Sequence, residues 1–199
     1  GYAAIAITDE CSVAGVVRAH EEARRQAEAG TPIALIVGSQ IDVEGEGDAP
    51  ALRLVLLAHD REGYGNLSEL ITRARLRCEK GAYRATHADF HDGLPHCTAL
   101  LIPRRGDSLD TLLAQARWVA ATFGRARAAL AAERLLYADD SVLIEQLDAV
   151  ARATQLPVAA AGDVLMHLRS RKPVLDTLTA IRLKTPVHDC GFALARNAE

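Results

Sequence analysis

Short apolar runs alternate along the chain with stretches whose apolar residues recur at helical spacing. Ala3–Thr8 is β-prone and lacks polar alternation, which predicts a strand buried on both faces. Ser12 is placed to cap a helix running to Ala29 and stopped by Gly30. A second strand is expected over 32–43. Gly45, Gly47 and Pro50 then supply turn residues, so Leu52–Ala58 reads as a third strand, the hairpin partner of the second. Leu67, Leu70, Ile71 and Ala74 stand at i, i+3, i+4 and i+7 and predict a helix over 63–77. Strands over 98–103 and 157–161 and helices over 109–123, 140–154 and 174–183 complete the pattern. Residues 125–135 stay open: their alanines favour helix, whereas their place before another helix favours strand. Strands alternating with helices predict βα units and a mainly parallel sheet, open or closed into a barrel. No repeat, low-complexity segment or linker interrupts the pattern, so residues 1–199 are expected to form one domain.

Composition narrows the class. The chain is 49% hydrophobic and 25% charged, ordinary for a globular domain. A net charge of −3 argues against a free-standing nucleic-acid binder. No apolar run approaches the roughly 18 residues of a membrane span, and no signal-like segment opens the chain, so a cytoplasmic protein is expected. Cys11, Cys78, Cys97 and Cys190 form no C-x-x-C pair and are expected to be free thiols. The chain opens on Gly1 and enters a strand almost at once, which suggests a piece of a longer protein.

Candidate chemistry sits at strand ends, where parallel α/β folds gather their functional groups. One end carries Asp9-Glu10, another Gly38-Ser39-Gln40, and a late one Gly162-Asp163 followed by His167. Converging, Asp9, Glu10 and Asp163 could hold a hard cation; acting separately, they would cap helices or bond to backbone. His87, His91 and His96 invite a zinc reading, but their segment reads as a surface connection, so exposed histidines are expected. Asp42, Glu44, Glu46 and Asp48 lack the spacing of a calcium loop and predict a solvated hairpin tip. Arg73, Arg75, Arg77, Lys80 and Arg84, and then Arg169, Arg171 and Lys172, are expected on solvated faces or at an interface. Ser39 and Ser68 have no His/Asp partner set, and neither G-x-S-x-G nor a glycine-rich phosphate loop occurs.

Several of these segments together resemble a known family. Ile7-Thr8-Asp9-Glu10-Cys11-Ser12-Val13-Ala14-Gly15-Val16-Val17 looks like the Thr-Asp-His/Glu segment of a PHP (polymerase and histidinol phosphatase) domain. Leu54–Ala58 with Gly63-Tyr64-Gly65-Asn66-Leu67, and later Asp176–Arg182, are similar to the PHP domain of bacterial C-family DNA polymerases. Glu10, Ile71–Arg75 and Cys190–Leu194 resemble the error-prone branch of that family.

The resemblance implies an α/β fold, a PHP-type distorted (β/α)7 barrel whose N-terminal βα unit lies upstream of Gly1. It also implies a longer polymerase chain performing template-directed DNA synthesis, with Mg2+ in a palm domain outside residues 1–199. Family members with an intact site hold metals through His, Asp, Glu and sometimes Cys. Of that pattern only Asp163 remains as a matched ligand, with Glu10 as a substitute candidate. The position often filled by His is Glu10, the usual Glu is Gln40, a His position corresponds to Arg53, and the final Asp-x-His reads Asp163-Val164-Leu165. An amide is a weak ligand, leucine is none, and an arginine repels a cation. Asp9, Glu10, Gln40, Arg53, Asp163 and Leu165 are therefore expected to be vestigial positions. Glu10, Asp163 and His167 remain the candidate ligands, and no metal or other cofactor is expected in this piece. The implied role is a non-catalytic scaffold contacting other polymerase domains, DNA through the parent chain, and accessory translesion proteins. The alternative is an active metal-dependent phosphoesterase or 3′–5′ exonuclease.

Overall fold

A computed structural model describes residues 2–47 and 49–195. Its elements run β1 (Ala4–Ile7), α1 (Val16–Glu28), β2 (Ala34–Glu44), β3 (Leu52–Ala58), α2 (Arg61–Leu76), β4 (Ala85–Thr86), β5 (Cys97–Ile102), α3 (Leu109–Phe123), β6 (Ala128–Glu133), α4 (Asp140–Thr154), β7 (Val158–Ala161) and α5 (Lys172–Leu183). The chain divides into two compact units, residues 1–132 with 144–159, and residues 133–143 with 160–199. Among the described residues the fold is mixed α/β, with five α-helices and one sheet, as expected of the class.

The seven-stranded sheet runs in the order β1-β2-β3-β5-β6-β7, with β4 beside β2. It is less parallel than the alternation of elements suggests. β1 and β4 lie parallel to β2, and β6 lies parallel to β5. β3 runs antiparallel to both β2 and β5, in the register Asp42↔Arg53↔Ile102. The hairpin after β2 reverses the chain, and β5 reverses it again. Strand alternation then sorts the side chains. Ser39, Ile41, Val43, Leu52, Leu54, Leu56, Cys97, Ala99 and Leu101 are buried on one face, where Leu67, Leu70 and Ala74 of α2 and Leu112, Ala116 and Val119 of α3 are also buried. Gln40, Asp42 and Arg53 occupy the opposite face and are half-buried.

Three local expectations change. β1, an edge strand paired only with β2 among the described residues, is not buried on both faces: Ile5 is half exposed and Ala6 is exposed. Ser12 does not cap α1. Its hydroxyl accepts from Ala14 N, and the residue at the N-cap, Gly15, makes no side-chain cap bond. Residues 125–127 form a 3-10 turn and 128–133 a strand, because the apolar side chains of Ala128, Ala129, Leu130 and Ala131 fit a buried position beside β5. Tertiary packing overrides alanine's helix preference there. Other ends follow the pattern. Gly30 closes α1 with φ +79°, Asp60 caps α2 by accepting from Gly63 N, and Ser108 caps α3 by accepting from Thr111 N. Among the described residues no helix is long and apolar enough to cross a membrane.

Candidate functional site

The end of β1 is built into the backbone of β2. Ser39 is fully buried, and its hydroxyl donates to Asp9 O at 2.8 Å while accepting from Ser12 N at 3.0 Å. Gln40 N donates to Asp9 O, Cys11 N donates to Gln40 O, and Glu10 forms an isolated parallel bridge with Gln40. These bonds carry the chain through a sharp bend in which Cys11 is left-handed, with φ 43°. Gly38 admits the bend's close packing, since a Cβ there would lie 2.6 Å from Leu56 O and 3.0 Å from Thr8 Cγ2.

Side chains from later in the chain close over this bend. Arg75 of α2 donates through Nε to Cys11 O at 3.0 Å and through Nη2 to Glu10 O at 3.3 Å. Its guanidinium lies 5.7 Å from the centre of the Tyr83 ring. The Tyr83 hydroxyl donates to Glu10 Oε1 at 3.1 Å and accepts from Asp42 N at 3.0 Å. It thereby satisfies a β2 amide in the gap between the β1 and β4 pairings. Burial, chiefly, pushes the Tyr83 hydroxyl up to about 12, helped by the negative charge of Glu10 and Asp42.

Arg53 and Asp42, cross-strand neighbours, form a two-bond fork of 2.7 and 3.0 Å, and Arg104 Nη2 approaches the same carboxylate at 3.3 Å. Burial alone would push the Asp42 carboxyl up. The hydrogen bonds and positive charge of Arg53 and Arg104 outweigh it and hold the group below the usual carboxylate range. The Arg53 guanidinium is in turn held above its ordinary value, first by its bond to Asp42 and then by the charge of Asp42 and Glu10.

Of the sequence candidates, Asp9, Glu10, Gln40 and Arg53 therefore meet at one place in the first unit, though largely through backbone atoms. Asp9 and Gln40 contribute carbonyls and an amide N–H to the bend, and the Asp9 and Glu10 residues are exposed. Asp163, Leu165 and His167 belong to the second unit. There the chain leaves β7 through Gly162 and a left-handed Asp163, with φ 40°, and all three side chains are exposed. Within the first unit the Gln40 amide is a weak ligand type, and Arg53 brings a fixed positive charge beside Glu10. Among the described residues no group of three or more His, Cys, Asp or Glu could hold an ion.

Other motifs resolve differently from expectation. Much of the first basic stretch is turned to structural use: Arg75 closes the bend, Arg77 forks onto buried Asp89 at 2.6 and 2.7 Å, and Arg84 pairs with Glu44 at 2.8 Å. Asp42 is half-buried and ion-paired, whereas Glu44 and Glu46 are exposed as expected of a hairpin tip, Glu44 with Arg84 beside it, and Asp48 lies outside the described residues. His87 is not exposed. Both its ring nitrogens are covered, and its ring meets Trp118 edge-on at 4.7 Å. His96 lies between Asp60 at 2.7 Å and Glu62 at 3.1 Å, and the hydrogen bond and charge of Asp60 raise its pKa. His91 is exposed, as expected. Sequence reading passed over Tyr83, Arg104 and the Asp42–Arg53 pair, and placed Arg75 on a solvated face or at an interface. Only the Asp42–Arg53 pair left a signal, since opposite charges at mirrored positions across a hairpin face each other.

Comparison with known proteins agrees with this architecture. The family model described as PHP domain matches residues 1–149. The chain is 47% identical over 208 aligned positions to an error-prone DNA polymerase of Bordetella parapertussis, covering 100% of this chain and 19% of that protein. It is 48% identical to an error-prone DNA polymerase of Ralstonia nicotianae with the same coverage, and 46% identical to one of Pseudomonas fluorescens, covering 100% of this chain and 18% of that protein. The chain thus spans about a fifth of the length of these relatives. A solved structure from Bifidobacterium adolescentis, named provisionally as a metal-dependent phosphoesterase, superposes with a TM-score of 0.52 at 14% identity. The match covers 82% of this chain and 77% of that one. This likeness concerns the fold alone.

Proposed function

This chain belongs to the PHP domain family, and we propose that it is a single, non-catalytic PHP-like domain of an error-prone DNA polymerase. The parent chain is a nucleotidyltransferase that adds deoxynucleotides against a template in DNA replication and repair after DNA damage. Its chemistry uses Mg2+ in a palm domain outside residues 1–199. The role of this domain is support: it contacts the remaining polymerase domains, meets DNA through the parent chain, and serves accessory translesion proteins in the cytoplasm.

The observation that carries this reading is the Arg53–Asp42 fork. A guanidinium bonded to a carboxylate stands where the family resemblance places a ligand, and it supplies charge compensation that a cation would otherwise bring. The bend at Asp9–Ser12 points the same way, because its contacts hold backbone and leave no nucleophile–base pair.

The test uses the full-length polymerase. Primer extension is expected to persist in Asp163→Ala and Glu10→Gln variants, without stoichiometric zinc or manganese attributable to this domain. Stoichiometric metal, together with a 3′–5′ nuclease activity abolished by Asp163→Ala, would overturn the scaffold reading in favour of an active phosphoesterase or exonuclease.

A further inference from the structure

Helix α5 is amphipathic in the reverse of the usual sense. Val174, Leu178 and Ile181 recur at steps of four and three and share one stripe, yet they are 45%, 58% and 67% exposed. The better-covered side carries Lys172 and Asp176, an i,i+4 ion pair whose side chains are 20% and 17% exposed, next to buried Ala180. A helix normally turns its aliphatic stripe inward and its charges outward. A contiguous outward stripe instead marks a surface that another apolar surface covers. α5 packs against the 3-10 turn Val187–Asp189, and Val187 is itself 40% exposed. The flanking Arg171, Arg182 and Lys184 are exposed and give the stripe a basic rim.

The comparisons indicate what covers it. The PHP family model ends at residue 149, whereas the polymerases match 100% of the chain, α5 included, and are about five times as long. We propose that the α5 stripe seats an apolar, acid-rimmed segment of the same polymerase chain outside residues 1–199. The inference rests on reading this chain as a polymerase domain. Aliphatic burial supplies the affinity, and the basic rim selects the orientation.

The experiment places a photo-crosslinking residue at Ile181 of the full-length polymerase, with exposed Arg24 of α1 as the control position. The expected result is an intrachain crosslink from position 181 to a segment outside residues 1–199, well above the yield at position 24. Leu178→Asp with Ile181→Asp should also raise the rate of limited proteolysis of the full-length protein about tenfold, by populating an undocked state. Crosslinks between two copies, crosslinks confined to residues 1–199, or a yield no higher than at position 24 would each overturn the proposal. Primer extension by the same protein separates the two readings. Extension without the intrachain crosslink refutes the docking alone, and an unmodified protein that cannot extend a primer refutes the polymerase reading.

Discussion

Two strand ends carry the same kind of sequence signal and meet opposite fates. After β1, Asp9-Glu10 is drawn into a bend held by Ser39, Gln40, Arg75 and Tyr83. After β7, Asp163 stands in a left-handed conformation on an exposed segment where Val164 is 73% and Leu165 51% exposed. An acidic residue beyond a parallel strand is thus no index of chemistry by itself. What differs is the neighbourhood. Buried hydroxyl and amide groups on β2 need partners, and the first bend provides them.

The largest expected effect contrasts two glycines. Gly38→Ala would drive a Cβ to 2.6 Å from Leu56 O, a backbone atom of the paired strand, and should cost about 3 kcal/mol in thermal or urea unfolding. At Gly162 the nearest atom to an added Cβ is Val164 Cγ2 at 3.4 Å, so Gly162→Ala should be neutral or stabilise by about 0.5 kcal/mol. Equal losses would erase the distinction between the regions.

Next in size, Ser39→Ala leaves Ser12 N without its buried acceptor and Asp9 O with Gln40 N alone, and should cost about 2 kcal/mol. Asp163→Ala should change stability by no more than about 0.5 kcal/mol in the same assay.

Asp42→Asn tests the ion-pair cluster and should cost about 1.5 kcal/mol near neutral pH. Because the folded chain depresses the Asp42 pKa, this contribution is fully present above the ordinary carboxylate pKa of about 4. It fades as the pH falls through the lower folded value. Chemical denaturation of both proteins across the acid range checks this; a gap that widens on acidification would contradict it. The smallest of these losses is expected for Tyr83→Phe, about 1 kcal/mol. Hydrogen exchange should rise at the Asp42 amide, which loses its acceptor.

Much of the fold was legible because its signals are local. The i, i+3, i+4 pattern of α2, the stop at Gly30 and the hairpin between β2 and β3 each follow from residues close in sequence. The candidate site was legible only in part. From side-chain chemistry alone, Gln40, Arg53 and Leu165 set the expectation of a vestigial site. The roles of Tyr83 and Arg75 depend on chain separations of 73 and 65 residues from Glu10, and no periodicity records them. The Ser12 cap was misassigned because a hydroxyl near a helix start has rival local partners, here Ala14 N.

The sequence by itself determined which helices and most strands are present and which helix faces are apolar. These properties belong to short windows and to side-chain chemistry. Only the tertiary structure decided that Ala128–Glu133 is a strand, that β3 runs antiparallel on both sides, and that Asp42 is joined to both Arg53 and Arg104. Those outcomes depend on which distant groups share a buried neighbourhood. There, unmet backbone bonds and uncompensated charge outweigh the few tenths of a kcal/mol by which local propensities differ.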